Sequence, residues 1–257
     1  MNKRFIEKEL FLGTQLELVD RIVSNTQKKI KKAYYAINAD CMLKYWSDEE
    51  YQKIINMPAH ITYVDGMGII FAQKFLKLPI ARERIATTDL FPALVKHLQN
   101  HNSLLRIFLL GGKNDTAEIV IKNFGTKYPN VNFVGSHHGY FDKNEESNRV
   151  IQYINSLNVD ILFVGFGNPI QEKWVNNYFD QLNVSTIITC GGLFDYYSNN
   201  VKRAPLILQK TGLEWFYRLL QEPKRLYKRY LFGNFNFIKN VFLIKLKSSQ
   251  EKVMGDY

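Results

Sequence analysis

The sequence predicts an α/β fold, a Rossmann-like and mostly parallel sheet with helices on both faces, followed by a basic, aromatic-rich helical appendage. Six short apolar runs recur through the first 190 residues, most of them stop at Gly or Asp, and helix-length segments separate most of them. This pattern is typical of buried parallel strands joined by crossover helices. The 46% of apolar and 23% of charged residues allow a large core and exclude wholesale disorder.

The predicted elements follow in chain order. The strands lie at 34–38, 61–64, 106–110, 132–134, 160–164 and 185–189, and the helices lie at 19–32, 115–128, 144–157 and 169–182. The second of these helices opens with a capping-box pattern, Asp115 followed by Glu118, and stops at Pro129. Pro169 stands at the first position of the last helix, where its missing N–H has no partner to lose.

The net charge of +10 is concentrated near the C-terminus. Residues 1–200 hold 22 Lys and Arg against 20 Asp and Glu, whereas residues 201–257 hold 12 against 4. We therefore divide the chain into the body, 1–202, and the appendage, 203–257. The cations of the appendage alternate with aromatic residues, and Pro223 is expected to kink or divide any helix there. Such a segment needs an anionic partner: nucleic acid, lipid headgroups or a phosphorylated substrate.

Several classes of protein are disfavoured. Only two Cys and five His residues occur, without CxxC or HExxH spacing, so neither a zinc site nor a disulfide framework is expected. No run of 18 apolar residues predicts a spanning helix, and no secretory signal opens the chain. No GxGxxG motif follows a strand, which disfavours a nicotinamide-dependent oxidoreductase. We expect a soluble, cytosolic protein.

Ligands of parallel α/β sheets bind beyond the carboxyl ends of the strands, so the residues there are candidates for a site. Asp65 follows the second strand, where it can act as a general base or cap the next helix. Arg84 can bind a phosphate, and Asp89 is expected to cap the helix that follows it. Asp195 comes after a glycine pair, where it can orient a ligand or form an ion pair with Arg203.

Glycine-rich turns end two other strands. Gly111 and Gly112 either let the backbone approach a phosphate or form a tight turn. The string GFGNPIQEKW at 165–174 places Gln171 and Glu172 in the first turn of a helix at the ligand edge of the sheet. There they can hydrogen-bond sugar hydroxyls or a uracil edge, although a structural role is also open.

The appendage carries Arg218, Arg225, Lys228 and Arg229, which share one face if the segment is helical. A solvated charged face is the ordinary alternative. The interleaved aromatic residues favour a lipid headgroup interface, and the same combination also occurs in proteins that bind single-stranded nucleic acid.

In these motifs the chain resembles the WecG/TagA/CpsF glycosyltransferase family, glycosyltransferase family 26. The matching strings run in order through most of the chain: INAD at 37–40, VDGMGI at 64–69, RIATTDL at 84–90, FLLGGK at 108–113, GFGNPIQEKW at 165–174, GGLFDYYSNNVKRAP at 191–205 and GLEWFYRLLQEPKRLYKRY at 212–230. The last three strings together are highly specific for the family.

The resemblance implies an inverting, metal-independent transferase without a cofactor and with a Rossmann-like fold of its own. Members move a sugar from a UDP-sugar, often UDP-N-acetylmannosamine, to a polyprenyl-diphosphate-linked saccharide of a bacterial cell-surface polymer such as wall teichoic acid or exopolysaccharide. The appendage is expected to bind the lipid diphosphate at the anionic inner surface of the cell membrane. Nucleic acid is not an expected partner, and the sequence leaves open whether the protein forms a homo-oligomer.

Carried over residue by residue, the resemblance makes Asp65 the catalytic base. Together with the strand-end argument, it gives two sets of binding residues. Those for the donor or its nucleotide are Asn38, Arg84, Gly111, Gly112, Gly165, Gly167, Asn168, Gln171, Glu172, Gly191, Gly192 and Asp195. Those for the acceptor diphosphate are Arg203, Arg218, Arg225, Lys228 and Arg229. Lys228 stands where the family usually has Arg, which keeps the charge but loses the bidentate geometry.

Two positions depart from the family pattern. Ala36 stands where members usually have a Thr that is thought to face the donor, and Thr87 stands where they usually have Gly. N-acetylmannosamine is therefore the default donor sugar, while UDP-glucose, UDP-galactose and a UDP-uronic acid stay open. A nucleotide-cofactor oxidoreductase and an RNA-binding protein are the remote alternatives.

Overall fold

The computed structural model describes residues 5, 6, 8 and 10–255, and it describes their side chains except at 210, 225 and 248–255. All six predicted strands are present: β1 Lys32–Ile37, β2 His60–Val64, β3 Arg106–Gly111, β4 Asn132–His137, β5 Ile161–Gly165 and β6 Thr186–Thr189. They form one parallel sheet in the order β2-β1-β6-β5-β3-β4. The predicted α/β architecture is therefore confirmed.

Helices connect the strands and cover both faces of the sheet. In the body they are α1 Gln15–Gln27, α2 Ala39–Ser47, α3 Glu49–Asn56, α4 Met67–Leu76, α5 Thr87–Asn100, α6 Thr116–Lys127, α7 Ser147–Ser156, α8 Ile170–Asn177 and α9 Leu193–Tyr197. In the appendage they are α10 Leu206–Lys210, α11 Glu214–Gln221, α12 Pro223–Tyr227, a π-helix Lys228–Phe232 and α13 Gly233–Gly255.

Three helix starts differ from the prediction. α1 begins at Gln15 rather than at 19, because Thr14 and Glu17 form a complete capping box. Asp115 is the N-cap residue of α6, but its backbone is not extended and its side chain makes no cap hydrogen bond, so the capping box expected there is wrong. Pro169 is the N-cap residue of α8 and not its first helical residue.

Alternate strand residues face two separate cores. Tyr35 and Ile37 of β1 point to one face of the sheet and Tyr34 points to the other, and each is at most 1% exposed. Burial on both faces explains why the strands read as continuous apolar runs. The two packed cores make the sheet a rigid support for the turns that follow its strands.

The appendage packs on the body through α13, which lies against α2 and α4. Phe237 is buried and stacks on Trp46 with 5.8 Å between the ring centroids, and the ring of Phe242 lies 4.8 Å from that of Phe75. Pro223 opens α12 just after α11 ends, so the predicted division of the helix is confirmed. Within the described residues, no helix has both the length and the apolar composition needed to span a bilayer.

Candidate active site

A cleft of about 1610 Å³ lies between the carboxyl edge of the sheet and the appendage. The body contributes the turns that follow the strands, among them 65–68, 165–168 and 189–195. The appendage contributes residues between 211 and 242. The strand ends therefore converge on one site as predicted, and a distant part of the chain completes its wall.

Asp65 lines this cleft directly after β2, and it does not cap the next helix. Gly66 is the N-cap residue of α4, and no side chain caps that helix. The N–H of Asp65 donates to the carbonyl of Ile37 at 2.9 Å, and its carboxylate accepts from the N–H of Thr87. Burial raises the pKa of Asp65 to about 7, although the nearby Arg84 guanidinium acts to lower it. A carboxylate with this pKa is suited to accept a proton near neutral pH.

Four charged side chains form a chain of ion pairs between the body and the appendage. Glu214 of the appendage accepts from Arg84 at 2.8 Å and from Arg203 at 3.3 Å. Arg203 donates with its two Nη atoms to the two carboxylate oxygens of Asp89, at 2.5 and 2.8 Å. Arg84 and Glu214 both line the cleft, so the chain of ion pairs begins at the site itself.

Two predictions about these residues are wrong because the ion pairs form instead. Asp89 does not cap α5, since the N-cap residue is Ala86 and Asp89 lies in the first turn with its carboxylate on Arg203. Arg203 pairs with Asp89 and Glu214 rather than with Asp195. Neither partner of Arg203 was apparent from sequence, because both lie far from it along the chain.

Gln171 joins two turns of the cleft with one side chain. Its Oε1 accepts from the N–H of Gly167 at 3.2 Å and from the N–H of Gly191 at 3.0 Å, and its Nε2 donates to Glu172 at 2.8 Å. Gln171 is only 5% exposed, and its side-chain amide makes its hydrogen bonds to other groups of the protein. These bonds also occupy the N–H groups of both glycines, which the sequence analysis placed among the residues that bind the donor or its nucleotide.

Glu172 is a second carboxylate in the cleft wall, and it is only 1% exposed. It accepts from Gln171 and from Nδ2 of Asn168 at 3.1 Å, and the same Nδ2 donates to the hydroxyl of Tyr51 at 2.8 Å. Burial raises the pKa of Glu172 to about 7, against the lowering effect of these hydrogen bonds. The three polar side chains after β5 therefore brace the turn that carries them.

The predicted glycines divide into two roles. A Cβ atom on Gly111 would lie 2.6 Å from the carbonyl of Gly165, and one on Gly165 would lie 2.7 Å from the carbonyl of Gly191. Gly111 and Gly165 thus allow neighbouring turns to pack in direct contact. Gly167, with φ 86°, and Gly191, with φ 54°, line the cleft and have open space where a Cβ would stand. A ligand can approach the backbone at these two positions.

The other predicted donor residues also lie in the cleft wall; they are Asn38, Gly112, Gly192 and Asp195. Asn38 is the N-cap residue of α2, and its Oδ1 accepts from the N–H of Asp40 at 3.0 Å. Ala36 lines the cleft as well. Thr87 is the second departure from the family pattern. Its hydroxyl forms a hydrogen bond of 2.7 Å with the buried hydroxyl of Tyr63.

The appendage brings two of its predicted cations to the cleft. Arg218 is buried, its Nε donates to Glu222 at 2.8 Å, and its guanidinium lies 4.7 Å from the centre of the Tyr196 ring. Arg229 pairs with Asp40 of the body at 3.2 Å. These contacts fix both guanidinium groups at the cleft wall before any ligand arrives.

The remaining predicted cations have other surroundings. Arg203 is held by its ion pairs, Lys228 is exposed on the π-helix, and neither is among the described residues that line the cleft. The side chain of Arg225 lies outside the described residues. Sequence reasoning missed Lys113, although it ends a motif that was noticed, and it missed the turn 139–143 after β4. The strand predicted at 132–134 is shorter than β4, because the last residues of β4 are polar.

Metal binding has no ready set of ligands in the part of the chain that the structure describes, since no three His, Cys, Asp or Glu side chains are grouped there. Cys41 lines the cleft, but burial raises its pKa to about 12, which keeps it a thiol. Among the described residues, the cations that line the cleft, and that can balance a diphosphate, are Arg84, Lys113, Lys143, Arg218 and Arg229.

Comparison with known proteins covers nearly the whole chain. The profile described as "Glycosyl transferase WecG/TagA/CpsF family" matches residues 7–251. Similar curated proteins include the N-acetylglucosaminyldiphosphoundecaprenol N-acetyl-beta-D-mannosaminyltransferases of Staphylococcus aureus strains MW2, NCTC 8325 / PS 47 and COL. Each is 30% identical over 244 residues, which span 93% of this chain and 90% of the relative. The matched region includes the body and the appendage.

Proposed function

The chain belongs to the glycosyl transferase WecG/TagA/CpsF family, and we propose that it transfers N-acetylmannosamine from UDP-N-acetylmannosamine to N-acetylglucosaminyl-diphosphoundecaprenol. The names of its relatives supply the sugar and the acceptor. One observation on this chain carries the proposal: Asp65, with a pKa of about 7, shares a cleft with cations from both the body and the appendage. The product would serve a bacterial cell-surface polymer such as teichoic acid.

The chemistry requires one base and a positively charged environment for the leaving group. Asp65 accepts the proton of the acceptor hydroxyl as that oxygen attacks the anomeric carbon from the face opposite UDP. The bond between the anomeric carbon and the diphosphate oxygen breaks, and its electron pair stays on UDP. Inversion of the sugar follows from this in-line displacement. Cations fixed in advance at the cleft wall stabilise the charge that develops on the diphosphate.

We assign the cations by the element that carries them. Arg84, on the loop before α5, and Lys113, which follows β3, belong to the body, so they are suited to the diphosphate of the nucleotide donor. Arg218 and Arg229 belong to the appendage and face the same cleft, so they are suited to the diphosphate of the lipid acceptor. Gly167 and Gly191 leave room for the donor to approach the backbone between them.

We further propose that the appendage lies against the anionic inner surface of the cell membrane. Large apolar side chains are exposed along it, with Leu220 at 65%, Phe232 at 62% and Phe235 at 67%. Lys224 and Lys228 are exposed on the same segment. Apolar and basic side chains together favour reversible binding to a surface of anionic lipids.

A donor screen tests the proposed function. Purified full-length protein is supplied with a synthetic polyprenyl-diphosphate N-acetylglucosamine acceptor and, in parallel, UDP-N-acetylmannosamine, UDP-glucose, UDP-galactose and a UDP-uronic acid. We expect the first donor to give the highest kcat/KM. Preference for another donor would correct the sugar and keep the reaction class, and would direct attention to Ala36 and Thr87, where this chain departs from the family pattern. Failure with every donor would contradict the proposal.

A further inference from the structure

Glu214 stands out among the charged residues of the appendage because its carboxylate forms ion pairs with two arginines at once. Its Oε2 lies 2.8 Å from Nη2 of Arg84, and its Oε1 lies 3.3 Å from Nε of Arg203. The side chains of Arg84 and Glu214 are 16% and 18% exposed, so water screens this pair only in part. The second Nη of Arg84 donates to the carbonyl of Gln209 at 3.1 Å, which also belongs to the appendage.

Arg84 therefore owes its position to the appendage, although it belongs to the body. Within the described residues its guanidinium donates to Glu214 and Gln209, and both lie beyond residue 203. Asp65, the base, is on the body and interacts with this same guanidinium. The charge next to the base thus depends on a contact that forms only where the appendage is docked.

We infer that Glu214 is a positioning residue of the transfer reaction, which holds Arg84 beside Asp65 and so links docking of the appendage to the readiness of the base. The inference rests on the proposed function. Glu214 itself needs no contact with either substrate for this role. It acts through Arg84, and through Arg203, which neutralises it from the other side and in turn holds Asp89.

The charged groups around Asp65 give the inference a direction. Arg84, on the loop before α5, lowers the pKa of Asp65, whereas Glu214 on α11 and Asp89 on α5 raise it. Arg203 neutralises Glu214 and Asp89 and so limits their effect. The N–H of Thr87, on α5, also lowers the pKa, and the buried phenol of Tyr63 on β2 faces the carboxyl group. Removal of the Glu214 charge with Arg84 still in place therefore favours the ionised base, and Gln at this position keeps an amide oxygen that can accept from Arg84.

The opposite change follows from loss of Arg203. Glu214 and Asp89 then keep their negative charges without their shared partner, so they repel the ionised form of Asp65 more strongly. Because a base works only when it is deprotonated, rates fall as the pH drops through its pKa. Glu214→Gln should move this acid limb to lower pH, and Arg203→Gln should move it to higher pH.

The experiment measures kcat/KM for the donor against pH between 5 and 9, a range about two pH units either side of the base's pKa, which the profile of kcat/KM reports. We expect E214Q and R203Q to shift the acid limb by roughly one pH unit in opposite directions, the lower end of the effect of one neighbouring charge on a carboxyl group. E214Q should also lower the plateau, because a neutral amide binds Arg84 more weakly than a carboxylate does, although the carbonyl of Gln209 keeps the guanidinium in place. Glu118→Gln, the same change at an exposed position on α6, should leave the profile unchanged.

If Glu214 and Arg203 had only a structural role, E214Q and R203Q would have lower plateaus and lower melting temperatures, but the acid limbs of their pH profiles would not move apart. Coincident limbs in folded E214Q, R203Q and unaltered protein would overturn the inference while leaving the transferase activity established. If E214Q does not fold, the upward shift in R203Q decides alone, and its absence overturns the inference. Lack of transfer by the unaltered protein with every UDP-sugar would instead overturn the proposed function.

Discussion

The body and the appendage use apolar residues in opposite ways. In the body, the strands β3 and β5 bury their apolar side chains completely, as Phe108 and Phe163 illustrate. In the appendage, Phe237 and Val241 are buried against the body, but Phe235 and Leu220 are two-thirds exposed. A packed core of its own stabilises the body. The appendage is attached to the body along one face and leaves a large apolar surface exposed for another partner.

The difference also separates the steps of the proposed reaction. The base and the glycine turns are on rigid strand ends of the body, where hydrogen bonds fix them. Arg218 and Arg229 are on the appendage, and only its docking brings them to the same cleft. In the proposed reaction, donor binding therefore belongs to the body and acceptor binding to the appendage. The four predictions below test this division, from the largest expected effect to the smallest.

Deletion of residues 203–257 should abolish transfer to the lipid acceptor and binding to anionic liposomes, while UDP still binds to the body. The deletion removes Arg218, Arg229 and Glu214, but no residue that follows a strand. Transfer assays, liposome co-sedimentation at low and high salt, and calorimetry with UDP measure the three properties. A shorter deletion of 248–257 is the matched control, since it keeps all the described residues that line the cleft. Transfer by the longer deletion at the full-length rate would contradict the division.

Asp65→Asn should lower turnover by about 10²–10⁴, the usual contribution of a positioned general base. UDP affinity should change little, because the substitution removes a charge without altering the shape of the residue. Asp115→Asn is the control, since Asp115 is exposed and makes no cap hydrogen bond. Turnover of D65N close to that of the unaltered protein would exclude Asp65 as the base.

Arg218→Ala should lower kcat/KM for the acceptor by roughly 10², because a hydrogen bond between two charged groups, worth about 1.5–3 kcal/mol, is lost at the acceptor diphosphate. Lys228→Ala should change it by about twofold or less, as exposed substitutions usually do. Comparison of the two variants tests the structure against the sequence-based assignment. In the structure Arg218 lines the cleft and Lys228 does not, whereas the sequence-based assignment gave both cations the same role. Equal losses in the two variants would support the sequence-based assignment instead.

Addition of EDTA should leave the rate unchanged. Five cations among the described residues line the cleft and can balance a diphosphate, and the sequence has no DxD motif to hold a divalent ion. The measurement is turnover after dialysis against chelator, with and without added Mg²⁺ or Mn²⁺. If activity is lost in chelator and restored by either ion, a metal ion contributes to stabilising the charge on the diphosphate, and the prediction is wrong.

Local patterns determined the framework of this protein. Five of the strands were predictable because most of their residues are buried and so read as continuous apolar runs. Only the first half of the edge strand β4, none of whose residues is buried, was predicted. The position of the site followed from this, because the carboxyl ends of parallel strands meet at one edge. Pro223 divided the appendage as expected, since proline lacks the backbone N–H that the next turn of a helix would need. The family strings pointed to Asp65, and the structure places that residue in the cleft.

Only the tertiary structure decided which side chain meets which. Asp89 was expected to cap a helix, and an ion pair with Asp195 was one alternative for Arg203, but Asp89 and Arg203 pair with each other across 114 positions of sequence. For Gln171 the sequence left a ligand contact and a structural role open, and the structure shows its side chain bound to two turns of the cleft. Glu214 gave no local signal at all. Periodicity and turn preferences act within a few residues, whereas ion pairs and side-chain bridges depend on how distant segments pack, and no local pattern records that.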